Sequence, residues 1–388
     1  MITGKGEEAL KTVKLCDHCL GRLFAKLGKG TDEERGKAVR FVINMERSIR
    51  GEKPIEEPKR CELCGNVFDR IPELVEVMKS EVERIEFETF LIGSRFPEDI
   101  LRREEELWGK LGIKTGEPLN REFNRELGKA FAEATGKEPS RKPDVLFIVE
   151  PYSWKIELQV SPIHVYGRYR KLVRGIPQTP LRGFKESVAS IICREFSKAF
   201  GGKCVFKGAG REDADVRTLG NGRPFVVEIK RPRKRRVDLE EVARVINESG
   251  KVEVLGLRFM TSEEASMLLS TSHKKEYLAL VYVEEGVTPE ESEMVAESLT
   301  GMEIRQRTPR RVERSRADKV RVRRVHEAEA RWVDERHFEL RLVTDGGLYI
   351  KELISGDEGR TSPSVAELLG KKAVCERLDV LNVLDNEV

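Results

Sequence analysis

Two short motifs, Cys16-Asp17-His18-Cys19 and Cys61-Glu62-Leu63-Cys64, limit what this chain can fold into more than any other feature. Each sets two thiols one tight turn apart, and each is followed closely by glycine. Two such knuckles supply the donor set of a tetrahedral zinc, and a site filled by four cysteines has no open position, so its role is structural. The gap between them is long enough for a helix: Thr31-Asp32-Glu33-Glu34 reads as a capping box, and Val39, Val42 and Ile43 carry the helix toward Gly51. The start Met1-Ile2-Thr3-Gly4-Lys5 lacks the apolar core of a signal peptide, and no apolar run reaches membrane-spanning length, so the cytoplasm is the expected compartment. A reducing compartment disfavours two disulfides at these knuckles, and a redox pair lacks the preceding strand of a thioredoxin-like unit. Cys193, Cys204 and Cys375 have no partner at ligand spacing and are expected as buried thiols.

With 388 residues the chain has room for two or three domains, each with its own core. Its net charge is only +3, so the average says little about nucleic acid, and the distribution has to be read instead. Charged residues make up 36% while glutamine occurs only at 159, 178 and 306, a bias associated with hot habitats. From Glu73 to Val160 helices and strands alternate: a helix from Glu73, a strand over Phe87–Ile92, helices over Glu98–Lys110 and Asn120–Thr135, then strands Asp144–Glu150 and Trp154–Val160. This α+β module closes on Pro162-Ile163-His164-Val165-Tyr166-Gly167-Arg168-Tyr169-Arg170-Lys171, where aromatics interleave with bases. Such a segment suits stacking on nucleotides, and it equally suits a core. The order of elements and the closing Gly-Arg-Tyr-Arg resemble the THUMP domain of RNA-modifying enzymes.

Arg174-Gly175-Ile176-Pro177-Gln178-Thr179-Pro180 has the breakers of a boundary, which gives expected domains at 1–72, 73–173 and 174–388. In the last of these, helices are expected over Phe184–Phe200 and Leu239–Glu248 and strands over Pro224–Ile229, Val252–Met260 and Tyr277–Val283. Two basic runs stand out: Lys230–Arg236, six bases around one proline, and Arg305–His326, with ten bases against two acids. Either run alone is a solvated loop; together with other RNA features they suit phosphate contact. Between them in interest lies Gly210-Arg211-Glu212-Asp213-Ala214-Asp215-Val216-Arg217, which has no serine, histidine or cysteine nucleophile, so the chemistry on offer is that of a carboxylate beside guanidiniums. Asp215 is expected to hold Arg217 or Arg223, and alternation along Leu348–Ile354 places Tyr349 and Lys351 on one face.

Gly210-Arg211-Glu212-Asp213, Lys275-Glu276-Tyr277 and Gly347-Leu348-Tyr349-Ile350-Lys351 resemble, in order, the Gly-Arg-x-Asp, Lys-x-Tyr and Gly-x-Tyr-Ile-Arg/Lys motifs of pseudouridine synthases. With the knuckles, the THUMP-like module and Arg305-Gln306-Arg307-Thr308-Pro309, the whole chain is similar to the archaeal Pus-ten family of tRNA pseudouridine synthases. The resemblance implies isomerisation of uridines 54 and 55 in the tRNA T-arm, with structural zinc and no cofactor for the chemistry. It also implies an α+β fold, in which a zinc-knuckle and THUMP-like module precede a catalytic domain with a mixed, mainly antiparallel sheet flanked by helices. Asp213 is then the catalytic aspartate, Tyr277 the active-site tyrosine and Lys351 the cation on the aspartate. Arg211, Tyr349, Arg233, Arg235, Arg236, Arg305, Arg307, Arg310 and Arg311 are the expected substrate contacts, and Cys16, Cys19, Cys61 and Cys64 the metal ligands. A methyltransferase or thiouridine synthetase bearing the same module would need a Gly-rich cofactor loop or phosphate loop, and neither motif occurs. A non-catalytic zinc protein that binds structured RNA would not need Asp213, Tyr277 and Lys351 together.

Overall fold

The computed structural model describes residues 2–313 and 317–384, which form two compact units divided at 161/162. Residues 314–316 of the second basic run lie outside the described residues.

The first unit has one core. Helix Leu119–Thr135 turns Phe123, Leu127 and Phe131 inward at four-residue spacing, against Val145, Phe147 and Val149, which alternate along strand Val145–Glu150. Each fully buried phenylalanine contributes about 1.5–3 kcal/mol. The same cluster continues through Leu20, Leu63, Val67 and the four knuckle cysteines, so residues 1–72 share their core with the helices and strands after them and are not a separate domain. Helix Asp32–Ile49 lies between the knuckles with its capping box in place: Thr31 Oγ1 accepts from Glu34 N, and Glu34 accepts from Thr31 N. The sheet runs Glu138–Pro139, Thr89–Ser94, Val145–Glu150, Lys155–Val160, with the second and third strands parallel and the last two an antiparallel hairpin.

The second unit is built on a ten-stranded sheet. Its strands lie in the order Thr361–Ser362, Glu303–Arg307, Val320–Asp334, His337–Thr344, Lys274–Val283, Ala373–Leu384, Arg217–Lys230, Ile163–Lys171, Val252–Met260, with Lys203–Gly208 also on Arg217–Lys230. The Asp379–Val380 pairing with Arg217–Thr218 is parallel and the other pairings in this sheet are antiparallel, which makes the sheet mixed and mainly antiparallel. Arg217–Lys230 is the organising strand. Ile163–Lys171 pairs along one edge of it from Thr218 to Ile229, while on the other edge Arg217–Thr218 pairs with the C-terminal strand and Phe225–Lys230 with Lys203–Gly208. Gly220 lies between those two stretches, and its φ of +52° and its missing Cβ, 1.9 Å from where Leu381 O sits, exclude any other residue without a shift of the backbone.

Three expectations need correction. Pro162–Lys171 does not close the first module: Ile163–Lys171 hydrogen-bonds to two strands of the second sheet, so the boundary falls at 161/162 and not after 173. Along that strand Val165, Gly167, Tyr169 and Lys171 face inward, so Tyr169 is a core residue and not a stacking platform. Cys193 and Cys204 are not free thiols but form a disulfide across 11 residues, because helix Val188–Phe200 packs against strand Lys203–Gly208. Cys375 is free and half-buried. Among the described residues no helix is long and apolar enough to cross a membrane.

Candidate active site

The loop Ala209–Val216 leaves strand Lys203–Gly208 and enters strand Arg217–Lys230, and three anchors fix its path. Gly210 has φ +91°, and a Cβ there would lie 2.7 Å from Arg223 Nη1, so glycine is required both by conformation and by space. Lys171, fully buried, donates from Nζ to the carbonyls of Ile176 (2.9 Å), Asp213 (2.8 Å) and Ala214 (3.3 Å). Burial lowers its pKa, and the charges of Glu212 and Asp215 act against that. Gln178 Nε2 donates to Gly210 O at 2.9 Å and to Tyr169 Oη at 2.8 Å.

Glu212 turns inward and Asp213 outward. The Glu212 carboxylate pairs with Arg223 Nε at 2.8 Å and accepts from Tyr169 Oη at 2.8 Å. Both charges are buried, so removing either partner alone costs about 3–5 kcal/mol. This ion pair holds the residue before Asp213 on the inner side of the loop, and both its members line the same cavity as Asp213. Lys275 is next to it, and burial together with the Arg223 charge lowers its pKa to about 8. Tyr277 lies in the same sheet face, where burial pushes its phenol up to about 12, so it is a neutral hydroxyl at ordinary pH.

Asp213 meets two cations. Nη1 of Arg311 donates to both its oxygens, at 3.0 and 2.8 Å, and Lys351 Nζ is 3.3 Å away. Lys351 is shared: it also reaches the two oxygens of Asp215 at 2.9 and 2.7 Å. Burial works against the charge on Lys351, but the bond to Asp215 and the charges of both aspartates outweigh it and raise its pKa; Asp215 is lowered in turn. Asp215 therefore does not hold Arg217 or Arg223 as expected. Arg217 pairs with Asp379 at 2.7 Å and Arg223 with Glu212, because the loop points Asp215 toward Lys351.

Leu348–Ile354 is not extended, which corrects the expected alternation. Tyr349 is the N-cap of helix Ile350–Ser355, and Lys351 reaches the aspartates from the first turn of that helix. Buried Gln306 fixes the cap by accepting from Tyr349 N at 2.9 Å and donating to Tyr349 O at 3.0 Å. Arg311 rests 5.8 Å from the Tyr349 ring centroid and holds Glu352 through Nε at 2.5 Å. These groups enclose a cavity of about 260 Å³, walled by Val216, Leu348, Leu378 and Val380, with Arg211, Asp213, Tyr277, Arg311 and Tyr349 at its polar positions. That is just under the ~300–1,000 Å³ of ordinary ligand pockets and suits one nucleoside-sized group. Larger cavities of about 1330 and 730 Å³ lie in the first unit; in the smaller of these Asp32 also pairs with Arg35 and Arg125, but the Asp32 side chain is only 2% exposed, whereas that of Asp213 is 38% exposed.

Of the expected substrate contacts, the structure brings Arg211, Tyr349 and Arg311 to the cavity. Arg305 is exposed, Arg307 pairs with Asp318 and Arg310 with Glu358, all on the segment leading to Arg311. Arg233, Arg235 and Arg236 are not at the cavity. Arg223 and Lys230 are seven residues apart on one regular strand, about 23 Å at ~3.3 Å per residue, and the basic run begins at the far end. Sequence reasoning missed Lys171, Glu212, Arg223 and Glu352 as the support of the site. Their signal was present only in part, since Glu212 and Arg223 stand inside the motif region but nothing marks them as a buried pair.

The four knuckle sulfurs, all buried, lie within 4.8 Å of one another, with Cys16–Cys64 and Cys19–Cys61 at 3.6 Å. A tetrahedral ion with Zn–S of ~2.3 Å requires sulfurs about 3.8 Å apart, so the donor set fits. Two donors are aimed at the sulfurs as thiolates require: Arg22 Nη1 to Cys19 at 3.6 Å and Cys64 N to Cys61 at 3.5 Å.

Comparison with known proteins gives a consistent result. A family profile described as "Pus10, C-terminal" matches residues 164–384, and one described as "Pus10 THUMP domain, archaeal" matches residues 74–150. The chain is 62% identical to the tRNA pseudouridine synthase Pus10 of Pyrococcus furiosus, covering 100% of this chain and 99% of that one. It is 39% identical to that of Methanocaldococcus jannaschii, covering 98% and 94%. Among solved structures, a chain of a Cbf5-Nop10-Gar1 complex aligns with TM-score 0.34 and 18% identity over 56% of this chain and 48% of that one.

Proposed function

The chain belongs to the Pus10 family of tRNA pseudouridine synthases and is an isomerase, and from that premise we propose that it converts uridines 54 and 55 of the tRNA T-arm with Asp213 as the catalytic carboxylate. The observation that carries the assignment is the pairing of Asp213 with Arg311 and Lys351, from two other elements, at the mouth of a nucleoside-sized apolar slot.

Making the C-glycoside requires the N1–C1′ bond to break, the base to rotate and C5 to bond to C1′, with the C5 proton leaving. The reacting base has to leave its stack to reach such a slot. Asp213, bonded to Arg311 through both oxygens and close to Lys351, acts on the sugar, and its paired oxygens fix the direction of approach. Lys351 balances the negative charge of both aspartates. Tyr277, a neutral phenol, lies against the base, with the apolar wall of Leu348, Leu378 and Val380 leaving it free to turn. Arg211 at the cavity and Arg305, Arg307 and Arg310 on the segment leading to Arg311 make phosphate contacts, and Arg233, Arg235 and Arg236 meet the RNA farther from the reacting base. Cys16, Cys19, Cys61 and Cys64 hold one zinc ion, whose contribution is to tie the two knuckles together.

Incubating the protein with an unmodified tRNA transcript, without added cofactor, tests this reading. Carbodiimide-blocked primer extension should show new stops at uridines 54 and 55. Stops confined to other positions would reject the T-arm assignment, and no stops in a folded protein that binds the transcript would reject the activity.

A further inference from the structure

Hairpin strands Val145–Glu150 and Lys155–Val160 are joined by Pro151-Tyr152-Ser153-Trp154, and Trp154 occupies the position before the return strand with φ +61°. Left-handed backbone there is the place of glycine or asparagine, since a branched or bulky residue crowds its own carbonyl. A tryptophan is kept there nonetheless, and its side chain is not core: 37% of its surface is exposed. Strain retained at a loop tip to present one large aromatic ring points outward, to a ligand.

The neighbours of Trp154 are fixed. Tyr152 Oη donates to Cys64 O, in the second knuckle, at 2.7 Å, and its ring packs edge-on against Phe96 at 6.0 Å. Arg70, from the helical turn Val67–Arg70, donates to Pro151 O at 3.0 Å. Its guanidinium carbon lies 5.5 Å from the Tyr152 ring centroid and 5.4 Å from that of Trp154. The cation is thus tethered between two rings, one of them wet. Tyr152 also borders the 1330 Å³ groove, whose rim carries exposed Lys59 and Arg60 as well as Glu56, Glu57 and Glu62.

We propose that Trp154, with Arg70, is a stacking site for an unpaired nucleotide of the RNA substrate, and that the second cysteine knuckle holds it in place; this rests on the reading that the substrate is RNA. An exposed indole flanked by a guanidinium offers what a splayed base takes up: a flat face and a cation for its π-system or adjoining phosphate. Paired bases are not available to a ring at a hairpin tip, so the partner is single-stranded. Every base has a stacking face, so the site discriminates little between sequences.

The test uses the full chain with Trp108→Phe and Trp332→Phe, leaving Trp154 as the single fluorophore. Titration with an octamer of uridylate and with unmodified tRNA should quench its emission, and a perfectly paired RNA hairpin capped by a short stable loop should quench it much less. Trp154→Gly should bind tRNA roughly 10- to 100-fold more weakly, with the single-turnover rate at saturation unchanged. Because +61° suits glycine, that variant should melt within about 3 °C of its parent. No quench by either single-stranded octamer or tRNA, or equal tRNA affinity in Trp154→Gly, overturns the proposal. Where Trp108→Phe does not fold, the same quench is read as the difference between the parent chain and Trp154→Phe. A chain that quenches but makes no pseudouridine would refute the catalytic assignment and leave this one standing; normal pseudouridine formation without quench would do the reverse.

Discussion

Nη1 of Arg311 bridges the two carboxylate oxygens of Asp213, while Nε of the same guanidinium holds Glu352. Arg311, not the adjacent Arg211, is therefore the guanidinium that orients the aspartate. A charge-assisted bond of this kind is worth about 1.5–3 kcal/mol, so Arg311→Ala should slow single-turnover conversion roughly 10- to 100-fold. Arg311→Lys keeps the charge but loses the fork, and should recover only part of the loss. Conversion by Arg311→Ala at the parent's rate under saturating tRNA would show the bridge to be incidental.

The knuckles make a second expectation. Cys64→Ser removes one of four ligands while keeping the backbone carbonyl that Tyr152 is bonded to, so metal content should fall from about one zinc per chain to a small fraction of that. Hydrogen exchange should rise around residues 14–22 and 59–70 and stay unchanged in the strands of residues 274–283 and 337–344. Stoichiometric zinc in a chain lacking all four thiols would place the ion elsewhere.

Lys275 gives a pH signature. Its pKa falls from 10.5 to about 8 on folding, so between those values the unfolded chain binds more protons and stability rises with pH. The cost of holding the buried ammonium is largest below about pH 8, on the order of 3 kcal/mol, and vanishes above about 10.5. Lys275→Met should therefore melt higher than the parent at pH 7, with the advantage shrinking steadily toward pH 10. A difference in Tm independent of pH would mean that Lys275 is neutral throughout or is paired more strongly than its neighbours indicate.

The run Lys230–Arg236 separates binding from chemistry. Changing Arg233, Arg235 and Arg236 to alanine should weaken tRNA binding and flatten its salt dependence by up to about three units of log–log slope, leaving the saturated single-turnover rate nearly intact. An unchanged slope would remove the run from the RNA interface.

How far the fold and the site are legible in the sequence depends on the range of the forces involved. The helix between the knuckles was legible because Thr31 and Glu34 satisfy each other's backbone within one turn. Strand Val252–Met260 and the hairpin at 145–160 were legible because alternation is local. Tyr349 was misread because Leu348–Ile354 is apolar enough for a strand, and only Gln306, 43 residues away, makes its start a helix cap. The Cys193–Cys204 bridge depends on a helix packing on a strand, which spacing alone does not show. The motif residues Asp213, Tyr277 and Lys351 lie in one region, but Asp215 shares Lys351 with Asp213, and Glu352 shares Arg311 with it, through contacts that no single segment contains.

Asp213, and not Asp215, is the carboxylate proposed to perform the chemistry. Each aspartate has both its oxygens bound to a cation, but Asp215 is the more exposed of the two and Asp213 is the one that lines the slot. The direct measurement is single-turnover pseudouridine formation on unmodified tRNA by Asp213→Asn and Asp215→Asn, each at saturating enzyme and each checked for folding and tRNA binding. Asp213→Asn should give no product at parent-like affinity, and Asp215→Asn should give slowed but measurable conversion. Conversion by Asp213→Asn, with a folded Asp215→Asn inactive, would contradict the assignment.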